Sequence, residues 1–94
     1  MPTFANMINT ATQRLHEAKA ILDGTSDETY SDDITAVIIA EGRADMAHDI
    51  AMAAFWMSHR QQRAFSARCQ EIALAAERVK EEANDRYQLL RKAS

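Results

Sequence analysis

Only three residues in the chain oppose a helix, and they stand at positions 2, 24 and 42: Pro2, Gly24 and Gly42. Beyond Gly24 the sequence runs to Ser94 with no proline and one glycine. A β-fold needs turn chemistry every eight to twelve residues or so, and that chemistry is missing. Alanine, the strongest helix former, supplies 18 of the 94 residues. The class that follows is all-α. Ninety-four residues at 10.6 kDa leave room for one helical domain over 1–94 and exclude a full Rossmann sheet or a TIM barrel.

Apolar spacing divides the chain into three helices near 3–23, 32–58 and 62–92. In the first, Phe4, Ile8, Ala11, Leu15, Ala18 and Leu22 recur every three or four residues and form one stripe. Thr3 can cap its start, and Gly24 sits where a left-handed C-cap residue belongs. Residues 25–31 are turn formers and acids, which read as a loop. Ser31 is placed to cap the second helix, with Asp32 and Asp33 at the positive end of its dipole.

The second helix is apolar on two sides. Ile34, Val37 and Ile38 mark one side, and Phe55 and Trp56 fall back near it. Met46, Ile50, Ala53 and Met57 mark the other, counting about 100° per residue. Such a helix must lie between elements or between subunits, so a homo-oligomer is expected, with a dimer as its first form. Ser58-His59-Arg60-Gln61-Gln62-Arg63 reads either as a tight turn or as the exposed middle of one very long helix. Compactness favours the turn, which makes the last two helices a hairpin.

The last helix carries the cleanest periodicity: Phe65, Cys69, Ile72, Ala76, Val79, Ala83, Tyr87 and Leu90. These define a seam of roughly 39 Å. Assembled as a helical-bundle oligomer, the chain would use Ile50, Met57, Phe65, Ile72, Val79 and Leu90 as interface residues. Cys69 is the sole cysteine, so neither an intrachain disulfide nor a multi-cysteine zinc site is available. It is expected to be a small buried hydrophobe.

Charge limits the partners. The net charge is −3, with residues 1–50 acidic and residues 51–94 basic. That division argues against coating a nucleic acid and suits contact between the two halves. No apolar run approaches the ~20 residues that span a bilayer, and Met1-Pro2-Thr3 opens no secretory leader. A cytoplasmic, membrane-free protein is expected.

Chemistry-bearing residues concentrate at Glu41, Asp45 and His48, whose i, i+4, i+7 spacing puts them on one helical face. Within an apolar stripe they need partners, and arginines of the last helix (Arg60, Arg63 or Arg68) are the favoured ones. The alternative is a metal. Ser31-Asp32-Asp33, Ile38, Ala40, Arg43, Asp45-x-x-His48 and Trp56 resemble the second helix of the encapsulated two-helix ferritin-like proteins. The resemblance covers 31–56, with Asp where that family has Glu. It implies an iron site shared between subunits, with Asp45, His48 and, by similar separation, Glu17 as ligands.

Two further patterns are weaker. His16, His48-Asp49 and Asp85 follow the order of the ligands in HD phosphohydrolases, whose domains need far more helix. Glu82-x-x-Asp85 resembles one of the two acidic pairs of the all-α nucleotide pyrophosphohydrolases, and the other pair is missing. His59, Arg60, Arg63 and Arg68 could hold a small anion where subunits meet. With no nucleophile elbow, phosphate loop or cofactor motif, the expectation is a non-catalytic helical interaction or regulatory protein with no cofactor. By analogy of size and class it is an inhibitor or adaptor of the kind phages and mobile elements carry. Its partners would be a second copy of itself and another protein.

Overall fold

A computed structural model of the chain describes residues 3–58 and 63–93. All the regular structure among them is helical: α1 (Phe4–Asp23), α2 (Asp33–Ser58) and α3 (Arg63–Ala93). The expected turn or continuous helix at 58–63 falls mostly on 59–62, outside the described residues. The backbone of Phe65 and Arg63 belongs to the first turn of α3; their side chains also lie outside the described part.

The caps explain the boundaries. Thr3 accepts a hydrogen bond from the Asn6 amide at 3.1 Å, and α1 begins behind it. At the other end Gly24 takes φ 74°, and its N–H bonds to the carbonyl of Ile21 while that of Thr25 reaches Ala20 at 2.8 Å. This paired closure satisfies two otherwise orphaned carbonyls. The start of α2 differs from expectation by one residue. Asp32, not Ser31, is the cap, accepting from the Thr35 amide at 2.6 Å. A carboxylate is the stronger acceptor at the positive end of a helix.

α2 is the middle element. Its buried residues are Val37, Ala40, Ala44, Ala47, Ala51 and Ala54, a stripe with spacing 3, 4, 3, 4, 3. Against it pack Ala11, Leu15, Ala18, Ile21 and Leu22 of α1 and Ile72, Ala73, Ala76, Val79 and Ala83 of α3. Alanine brings two neighbours close to one helix, and the larger side chains of α1 and α3 then fill the gaps. The large residues that mark the two apolar sides of α2 divide: Val37 is buried and Ile50 half-buried in this core, while others face outward. In the structure Ile38 is 52% exposed, Met46 48%, Trp56 66% and Met57 55%.

Two of the expected interface residues lie within the core of the single chain. Ile72 and Val79, at 2% and 4% exposure, are already covered by α1 and α2 of their own chain. Ile50 and Leu90 are half-buried against the same core, and Met57 is exposed. Cys69 is fully buried, and burial pushes its thiol pKa up. The bundle measures 49 × 23 × 18 Å.

The alanine stripe leads to the first prediction. Ala47→Leu should destabilise the fold by about 1–3 kcal/mol in urea denaturation, because Ala47 is fully buried in the core and a larger side chain overpacks it. Ala67→Leu, on the exposed side of α3, should change stability by no more than about 0.5 kcal/mol.

Candidate functional site

The polar side chains form two separate belts, one on each flank of α2. On the α1 flank Arg14 holds Glu17 at 2.5 and 2.8 Å, and Arg43 Nε lies 3.6 Å from the same carboxylate. Arg43 also makes a two-pronged contact with Glu28 of the loop, at 2.8 and 2.9 Å. The Tyr30 hydroxyl donates to Glu28 at 2.7 Å. This knot straps residues 28–30 onto α2. The bond from Arg43 is the main reason the Glu28 carboxyl lies below its usual range, and the bond to Glu28 is the main reason the Tyr30 phenol lies above its own.

On the α3 flank Lys80 Nζ donates to Asp45 at 2.7 Å. His48 lies between Glu77, 3.3 Å from Nε2, and Asp49, 3.4 Å from Nδ1. The pairs 45–80 and 48–77 run in opposite senses along the two helices, since one number rises as the other falls. Lys80 holds the Asp45 carboxyl below the ordinary carboxylate range, and Asp45 in turn raises the Lys80 pKa. The partner of Asp45 is thus a lysine just past the middle of α3, not one of the arginines near its start. The pair is also half in water, so its contribution is about 0–1 kcal/mol and not that of a buried pair.

The proposed metal ligands are not brought together. Glu17 is held by arginines on one flank of α2, while Asp45 and His48 face α3 on the other. Among the described residues no group of three or more His, Cys, Asp or Glu side chains could hold an ion. A cation at either place would have to displace an ammonium or guanidinium already in contact. His16, His48-Asp49 and Asp85 form no such group either. Glu82 pairs with Arg86 at 3.0 Å, and Asp85 is exposed beside it. Of the possible anion-binding group, His59 and Arg60 lie outside the described residues, and Arg68 is paired with Glu71 at 3.1 Å.

Two features had no clear signal in the sequence. Arg86 of α3 donates to the carbonyl of Leu22, so a cation closes the negative end of α1 from across the bundle. A groove of about 410 Å³ lies between α1 and α2, lined by Asn6, Met7, Thr10, Asp49, Ile50 and Ala53. The groove is apolar, and no set of titratable groups converges in it. Comparison with known protein families, curated proteins and solved structures finds no match. Among the described residues no helix is long and apolar enough to cross a membrane.

The depressed carboxylates give a pH prediction. Glu28, Asp32 and Asp45 all have pKa values lowered by folding, through Arg43, the Thr35 amide and Lys80 respectively. Their stabilisation is complete above the unfolded values of about 3.9 for Asp and 4.3 for Glu, and is lost as pH falls through the folded values. Urea midpoints should therefore fall on acidification from pH 5 to pH 3. In the triple variant Glu28→Gln/Asp32→Asn/Asp45→Asn that fall should be visibly shallower.

Proposed function

We propose that this chain is a small non-catalytic interaction protein, a regulator of the inhibitor or adaptor kind, that works as a homo-oligomer with a dimer as its basic form. In this reading α2 and α3 form a hairpin. One observation carries it. α2 has two flanks occupied by α1 and α3, yet Ile38, Met46, Trp56 and Met57 still stand about half or more exposed along its third side. Large apolar side chains gathered on one side of a monomer mark a surface used for protein contact.

The polar belts support the non-catalytic part of the reading. Glu17, Glu28, Asp45 and Lys80 are engaged in ion pairs that strap helices and loop together. A cytoplasmic setting, where the lone Cys69 thiol stays reduced, belongs to the same reading.

Light scattering on the purified chain at micromolar concentration should give a mass at least twice 10.6 kDa. A stable monomer under those conditions overturns the oligomeric reading.

A further inference from the structure

We draw no further inference here: the strongest candidate, the cavity of about 420 Å³ at the end of the bundle between Ile21, Val37 and Leu90, carries nothing, because its cation Arg86 is already bonded to the Leu22 carbonyl and to Glu82 and nothing in the structure shows what fills it.

Discussion

Everything in this bundle depends on how close two helices can come to α2 at once. A helix carrying leucines on both flanks would hold its neighbours apart and leave voids that three helices cannot fill. Ala40, Ala44, Ala47, Ala51 and Ala54 remove that obstacle along nearly the whole length of α2. Leu15, Ile21 and Leu22 from one side and Ile72 and Val79 from the other then share one core. Small residues in the middle and larger ones outside achieve interior packing density with few large side chains. The arrangement has a consequence for α2, where Ile38, Met46, Trp56 and Met57 lie off the stripe and turn outward.

The polar contacts follow from the same geometry. Helices brought this close place their flanking charges opposite one another, so Asp45 meets Lys80 and His48 meets Glu77. Arg43 reaches both Glu17 on α1 and Glu28 in the loop. Arg86 closes the end of α1 while Glu82 steadies it. These are surface interactions of small individual value. Their use lies in holding one register among the several that a stripe of identical alanines would permit.

Much of this was legible in the sequence, for identifiable reasons. α1 and α3 each alternate apolar and polar residues with a helical period, so their stripes and lengths could be read directly. The αL role of Gly24 followed from its place after Leu22 and Asp23. The buried stripe of α2 was not legible, because the helix is apolar almost all round and offers little contrast from which to read a face. Its alanines carry little hydrophobic weight, and Ile38, Met46 and Met57 drew attention away from them. The candidate metal site failed on a related point. The spacing of Asp45 and His48 fixes a common face, but not which neighbour that face meets. Glu17 came from the opposite flank. Lys80 as the partner of Asp45 depends on the register of α3, which local spacing does not contain.

The account turns on one claim: the third side of α2 is covered by another copy of the chain. Trp56 is the only tryptophan and stands on that side, largely exposed. Its fluorescence reports the claim without any substitution. On dilution to low nanomolar concentration its emission should be that of an indole in water and readily quenched by iodide. As concentration rises, the emission should shift to the blue and lose iodide sensitivity in step with the increase in mass. Emission that stays water-like and equally quenchable while the mass doubles would place the contact elsewhere and contradict the account.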